Sequence, residues 1–193
     1  AKGKVSLMLE AHRVSRYLPW YRGKRGLPMQ DENQALYEFM QTALKESPFV
    51  ITLDCHSGFG HHDRIWFPYA YTPDPFEHIG EAYALHQLFQ RNHSTYSFYI
   101  MEPQSTSYTT HGDFWDYTFK TGLHERPGVY LPLTLEMGSG MWVRKNPRQM
   151  FNSLGIFNPV MPHRHERVLR RHQCLMDFLM REARNYYRWL PNT

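Results

Sequence analysis

Two short apolar runs, each followed at once by a polar segment that contains glycine, constrain the fold of this chain more than any other feature. The first run covers residues 49–53 and leads into residues 54–60; the second lies within residues 130–137 and leads into residues 138–140. Short apolar runs bounded by turn residues are typical of strands that are buried on both faces of a sheet. The sequence therefore predicts a central sheet that contains these two strands.

Amphipathic patterns before, between and after these strands predict helices. Apolar residues recur at helical spacing after Asp31, which we expect to be the N-cap of the first helix. Strands that alternate with helices predict an α/β fold, with a mostly parallel or mixed central sheet flanked by helices. We expect further helices at residues 76–90, 113–120 and 163–189, and further strands near residues 65–69 and 96–101.

Length and composition exclude several classes of protein. With 193 residues, 41% of them hydrophobic, we expect a single globular domain over residues 1–193. No apolar run approaches the roughly 18–20 residues of a membrane helix, and two cysteines are too few for a disulfide framework. The net charge of +4 comes from scattered lysines and arginines, so we expect neither a nucleic-acid nor a membrane partner. Scarce cysteine favours the reducing cytoplasm.

The first strand leads directly to a candidate ligand or acid–base residue, His56. Ser57 and Gly58 follow it and are small enough to leave room for a ligand. Asp54, two residues earlier, is placed to orient the imidazole. The alternative is a structural histidine at the end of a strand.

The second strand carries a carboxylate, Glu136, near its end. A carboxylate is costly to bury without a role or a partner, and burial raises its pKa towards the range that suits a general base. The alternative is a structural ion pair with Arg144 or Lys145. In α/β sheets, ligand sites gather at the carboxyl ends of strands, where both His56 and Glu136 are expected.

Other polar residues are weaker candidates. Tyr117 lies in an aromatic segment, where its phenol either donates a hydrogen bond to a substrate or packs among other rings. His78 and Glu81 have the H-x-x-E spacing of two metal ligands, but nothing nearby converges on them, so we interpret them as structural. We expect His163 and His165 to lie in the solvated first turn of the last helix.

Five short motifs occur in an order that is informative as a set. They are residues 20–24 followed by acidic residues 31–32, then residues 49–57, 66–71, 115–117 and 134–136. In this order and spacing they resemble the zinc metallocarboxypeptidases of the carboxypeptidase A type. The resemblance extends from Trp20 to the last helix and implies a carboxypeptidase-like (phosphorylase/hydrolase-like) fold.

The resemblance also implies roles for individual residues. His56 would bind the zinc cofactor, and Glu136 would deprotonate the zinc-bound water and pass the proton to the leaving amine. Tyr117 would contact the terminal carboxylate or the scissile amide of a peptide or peptide-like substrate. The segment between Tyr117 and Glu136 would line the specificity pocket, and it contains Lys120, His124, Glu125 and Arg126.

The family takes its other two zinc ligands from an H-x-x-E motif, and it binds the substrate carboxylate with an Asn-Arg pair. Both elements lie upstream of the matched region, and no counterpart precedes Trp20 in this sequence. The chain begins without an initiator methionine or a signal peptide. We therefore expect the C-terminal portion of a catalytic domain, inactive and weak in zinc affinity when isolated. The alternatives are a non-catalytic binding module on the same scaffold and a cell-wall peptide amidase.

Overall fold

The computed structural model of the chain describes residues 29–58, 60–123, 128–152, 155 and 157–191. These residues form an α/β structure in which helices flank a four-stranded mixed sheet, and this confirms the predicted class. The strands are β1 (Phe49–Gly58), β2 (Arg64–Phe67), β3 (Ile100–Pro103) and β4 (Val129–Gly138). The α-helices are α1 (Asp31–Glu46), α2 (Ile79–Asn92), α3 (Phe114–Leu123), α4 (Gly140–Lys145) and α5 (Pro162–Arg184).

The sheet is mixed because β4 has a parallel neighbour on one side and an antiparallel neighbour on the other. The strand order is β1-β4-β2-β3. β4 pairs with β1 in parallel over the whole of both strands, and with β2 in the antiparallel sense near its carboxyl end. Residues 130–135 of β4 are all buried, as the uninterrupted apolar run predicts for a central strand.

The chain divides into two compact units. The first contains the described residues of 1–48, 68–75 and 103–128, and the second contains those of 49–67, 76–102 and 129–193. The second unit therefore holds β1, β2 and β4 together with α2, α4 and α5. The first holds α1 and α3.

The core of the second unit forms where α2 and α5 cover the sheet. Phe89 of α2 and Phe178 of α5 meet edge to face, with ring centroids 5.0 Å apart. Aromatic pairs of this geometry contribute beyond the apolar area that they bury. The buried side chains of this core include Ile65, Leu85, Phe89, Leu131, Leu133, Leu135, Leu175, Phe178 and Leu179. Among the described residues, no helix is long and apolar enough to cross a membrane.

In the first unit, α3 is held by its own buried acid. Oδ2 of Asp116 accepts hydrogen bonds from the backbone N–H groups of Ala70, at 2.8 Å, and Tyr71, at 3.2 Å. The fully buried Phe119 packs edge to face on Tyr69, at 5.9 Å between centroids. Residues 68–75 are thus joined to α3 by both hydrogen bonds and ring packing.

Several predicted element boundaries are wrong. Asp31 is the first residue of α1 and Gln30 is its N-cap. The second helix begins at Ile79 rather than at residue 76, because the preceding residues form a turn in which Ile79 N–H donates to the carbonyl of Phe76 at 3.1 Å. The strand predicted at residues 96–101 begins only at Ile100, after a 3-10 turn. The last helix begins at Pro162 and ends at Arg184, and a 3-10 turn follows it.

Candidate functional site

The pairing of β1 with β4 brings His56 and Glu136 together. The two residues are direct partners in the parallel register, near the carboxyl end of both strands. Direct partners in a sheet project their side chains from the same face, so the imidazole and the carboxylate are neighbours. Both predicted strand-end residues of this unit therefore belong to one site.

The imidazole of His56 lies between two carboxylates. Its Nε2 is 2.9 Å from Oδ2 of Asp54, which shares its face of β1 because it is two residues earlier. Its Nδ1 is 3.6 Å from Oε2 of Glu136. The first contact has the length of a charge-assisted hydrogen bond, whereas the second is longer than a good one. Asp54 therefore orients the ring, and Nδ1 faces Glu136.

The His56 imidazole is more exposed to solvent than the Glu136 carboxylate, and it carries a positive charge. The His56 side chain is 52% exposed and the Glu136 side chain is 13% exposed. The hydrogen bond to Asp54, followed by the contact with the Glu136 carboxylate, raises the pKa of His56 to about 10. The imidazole is therefore cationic at neutral pH, and a metal ion that binds it must displace a proton.

A second charged residue, Arg64, is a register partner of Glu136, and sequence reasoning missed it. Arg64 of β2 is the antiparallel partner of Glu136, but its guanidinium forms an ion pair with Glu102 of β3. The alternative expectation that Glu136 pairs with Arg144 or Lys145 is wrong: among the described residues, its ion pair is with His56. The sequence feature that could have indicated Arg64 is its position as a charged residue at the start of the short apolar strand β2.

The loop between β1 and β2 is anchored to the end of β4. The buried Asp63 accepts a hydrogen bond from the backbone N–H of Gly138 at 2.9 Å, and Gly60 accepts one from Gly140 at 2.9 Å. A Cβ at Gly138 would lie 2.9 Å from backbone atoms of His62. Only glycine permits so close an approach of two backbones. The strand end next to Glu136 is thereby held in place.

Tyr117 belongs to the first unit, where it lies on α3. The Oδ1 atom of Asp113 caps this helix by accepting the N–H groups of Trp115 and Asp116, both at 2.9 Å. Tyr117 is 44% exposed, and its ring centroid is 5.3 Å from that of Tyr37. Burial, followed by the neighbouring Tyr37, raises its pKa, so the phenol keeps its proton and can donate a hydrogen bond.

The remaining predicted polar residues take structural or exposed positions. Nδ1 of His78 is 3.8 Å from Oε1 of Glu81 at the start of α2, and His78 is the N-cap residue there. His163 and His165 are exposed in the first turn of α5, as predicted. His124, Glu125 and Arg126 lie outside the described residues, as do residues 20–24.

The donor set determines how far the site fits a zinc ion. A catalytic zinc site uses about three protein ligands and leaves one position for water. In the described part of the chain, no group of three or more His, Cys, Asp or Glu side chains is arranged to hold a metal ion. The described residues therefore do not complete a zinc site.

Comparison of the chain with protein-family models, with curated proteins and with solved structures finds no match. The feature of the chain with the clearest chemical potential is the imidazole of His56 beside the carboxylate of Glu136 on neighbouring parallel strands.

Proposed function

We propose that this chain supplies the histidine and the glutamate of a zinc-dependent, metallocarboxypeptidase-like hydrolase that acts on C-terminal peptide bonds. The observation that carries the proposal is the direct register of His56 with Glu136 at the carboxyl ends of β1 and β4. A histidine ligand and a carboxylate base next to each other are what metal-assisted hydrolysis requires.

Glu136 acts as the general base in this proposal. Its carboxylate is mostly shielded from solvent and stands next to an imidazole that Asp54 orients. It accepts a proton from the attacking water and passes it to the nitrogen of the leaving amine. Tyr117 donates its phenol hydrogen to the terminal carboxylate or to the scissile amide of the substrate.

His56 is one zinc ligand in this proposal, and the remaining ligands come from outside the described residues. When bound, zinc polarises a carbonyl and lowers the pKa of its water towards about 7. We expect the chain by itself to be inactive and to bind zinc weakly. Asp54 orients the imidazole of His56, as carboxylates commonly do for histidine ligands in zinc sites.

The first test is the coding sequence upstream of Ala1. An H-x-x-E motif followed by an Asn-Arg pair would supply the missing ligands and the clamp for the substrate carboxylate. A reading frame that contains neither element would remove the proposed zinc site.

The second test measures hydrolysis by the complete protein. Glu136→Gln removes the proton acceptor at constant size, and we expect it to lower kcat by at least about 100-fold. Glu166→Gln, at an exposed position near the start of α5, is the matched control and is expected to leave kcat unchanged. Equal activity of the two variants would contradict the role of Glu136.

Substrates with different C-termini separate this function from the amidase alternative. A carboxypeptidase cleaves a peptide with a free terminal carboxylate and not the amidated peptide. Cleavage of both, or of cell-wall peptides alone, favours an amidase on the same scaffold.

The second candidate function is a non-catalytic binding module. It is favoured by one observation, that the described residues contain no group of three metal-ligating side chains. In that case Glu136→Gln changes only the stability of the protein, and no peptide is hydrolysed.

A further inference from the structure

A cysteine and a histidine from two different helical segments meet on the second unit, away from the strand ends. Sγ of Cys174, on α5, is 3.4 Å from Nδ1 of His93, the C-cap residue of α2. The His93 ring is held by two phenylalanines, with centroids 5.1 Å from Phe89 and 5.8 Å from Phe178. A thiol within hydrogen-bond reach of an imidazole is the arrangement that activates a sulfur nucleophile.

A second polar residue lies near the same sulfur. Tyr96, in the 3-10 turn that follows α2, packs against His93 with ring centroids 5.9 Å apart, and the neighbouring Cys174 raises the pKa of Tyr96. A phenol that keeps its proton can stabilise a nearby thiolate. The sulfur therefore has a proton acceptor in His93 and a protonated phenol nearby in Tyr96.

Cys174 and His93 line an open cavity of about 320 Å³. Its wall also contains Arg170, Arg181 and Asp177, so two guanidinium groups face one carboxylate. Nε of Arg181 contacts Oε1 of Glu182 at 2.8 Å, which leaves Arg170 as the cation expected to matter most. The cavity gives a small molecule access to the sulfur and favours one that carries negative charge.

We propose that Cys174 and His93 form a site of reversible thiol–disulfide exchange with small disulfides that carry carboxylates. The Cys174 thiol gives its proton to Nδ1 of His93, and the thiolate attacks one sulfur of the reagent disulfide. A new S–S bond forms to Cys174 as the reagent S–S bond breaks. The leaving thiolate takes the electron pair of the broken bond and accepts the proton from His93. This site is independent of the function proposed for the strand ends.

The chain contains its own control cysteine. Cys55 is exposed on β1 and lies between Asp54 and His56 in the sequence. These two neighbours carry opposite charges, whereas the cavity beside Cys174 is lined by two arginines and one aspartate. The rate at Cys55 is therefore expected to depend less on the charge of the reagent.

The experiment compares the full chain carrying Cys55→Ser, in which Cys174 remains, with the chain carrying Cys174→Ser. Each is treated with three aliphatic disulfides of similar size: dithiodipropionate, which is anionic, hydroxyethyl disulfide, which is neutral, and cystamine, which is cationic. Mixed-disulfide formation is followed by mass spectrometry. For each reagent, the rate at Cys174 is divided by the rate at Cys55, which cancels differences in leaving-group reactivity.

We expect this ratio to exceed about 10 for the anionic reagent and to fall in the order anionic, neutral, cationic, with the preference decreasing at high salt. A ratio of 1 or less for every reagent would overturn the site. A ratio above 1 without dependence on reagent charge would overturn the carboxylate specificity.

Two variants in the Cys55→Ser background separate the contributions of base and cation. His93→Gln keeps a hydrogen-bonding group but cannot take up the proton, so it should slow exchange with all three reagents. Arg170→Gln should slow only the reaction with the anionic reagent. Circular dichroism establishes that each variant is folded. Rates unchanged in both folded variants would contradict the proposed roles.

Discussion

The ion pair between Asp63 and Arg171 makes a quantitative prediction about stability. Asp63 is 4% exposed, and its Oδ2 is 2.8 Å from Nε of Arg171 on α5. Its other oxygen accepts the N–H of Gly138. One side chain thus joins the loop after β1, the end of β4 and α5, and we expect Asp63→Ala to destabilise the protein strongly.

The magnitude follows from what the substitution leaves behind. Loss of one partner from a buried pair costs about 3–5 kcal/mol because the other charge remains uncompensated. The Arg171 side chain is 24% exposed and can be partly hydrated, which favours the low end of that range. Loss of the acceptor for Gly138 adds about 1 kcal/mol. We expect Asp63→Ala to lower the free energy of unfolding by about 4 kcal/mol, a large part of the roughly 5–15 kcal/mol of a typical domain.

A double-mutant cycle separates the charge from the hydrogen bond. Asp63→Asn keeps an oxygen for Gly138 and removes the charge, and Arg171→Met removes the cation while keeping an apolar stem over Phe98, whose ring centre lies 3.5 Å from the guanidinium. Urea unfolding at neutral pH gives the free energy of each variant. We expect the double variant to be more stable than the sum of the single losses by about 1–2 kcal/mol. We expect a coupling free energy near the lower end of this range. The Arg171 Nε–H does not form a hydrogen bond with Asp63, so the two side chains interact only as an ion pair.

Two results would refute this reasoning. A loss below about 1 kcal/mol for Asp63→Ala would mean that the pair is solvated and contributes as a surface ion pair does. Additive losses in the cycle would mean that the charge of Asp63 does not stabilise the protein through Arg171. Unchanged m values across the four proteins would show that the comparison concerns the native state.

Two further substitutions test the packing at Gly138 and the burial of Asp116. Gly138→Ala places a Cβ 2.9 Å from the His62 backbone and should lower the free energy of unfolding in urea by about 1–3 kcal/mol. Gly80→Ala is the control, because its Cβ meets nothing within 4 Å, and it should leave stability unchanged or raise it. Equal effects of the two substitutions would contradict the close approach at Gly138. Burial raises the pKa of Asp116 from 3.8 to about 6. The native state therefore binds this proton more tightly than the unfolded state does, and the stability of the wild-type protein falls as pH rises from about 4 to about 6. Asp116→Asn should abolish this fall, worth about 2 kcal/mol, and thermal unfolding between pH 4 and pH 7 checks it; parallel pH profiles of the two proteins would refute it.

The two long strands could be predicted because their apolar runs are uninterrupted. Residues 49–53 and 130–137 were predicted, and Phe49–Gly58 and Val129–Gly138 are observed. The position of His56 and Glu136 at strand ends followed from the same runs. Their direct register did not, because it depends on pairing between segments far apart in the sequence.

Elements whose signal depends on tertiary packing were predicted less well. The aromatic residues of 96–101 suggested a strand, but Phe98 and Tyr99 pack against each other at 4.6 Å between centroids, before β3 begins. Aromatic residues favour strands only where the pleated surface accommodates them. The ion pairs that organise the site surroundings, Arg64 with Glu102 and Asp63 with Arg171, join separate elements and left no periodic signal.

The strand order has a consequence for how the protein is made. β1 and β2 follow each other in the sequence, but β4 lies between them in the sheet. A growing chain therefore cannot complete this sheet until residues near 138 have left the ribosome. At a synthesis rate of about 5–20 residues per second, the edges of β1 and β2 that pair with β4 remain unpaired for several seconds until β4 has been synthesised. Charged side chains at the end of β1, Asp54 and His56, oppose pairing of this unpaired strand with other chains during that time.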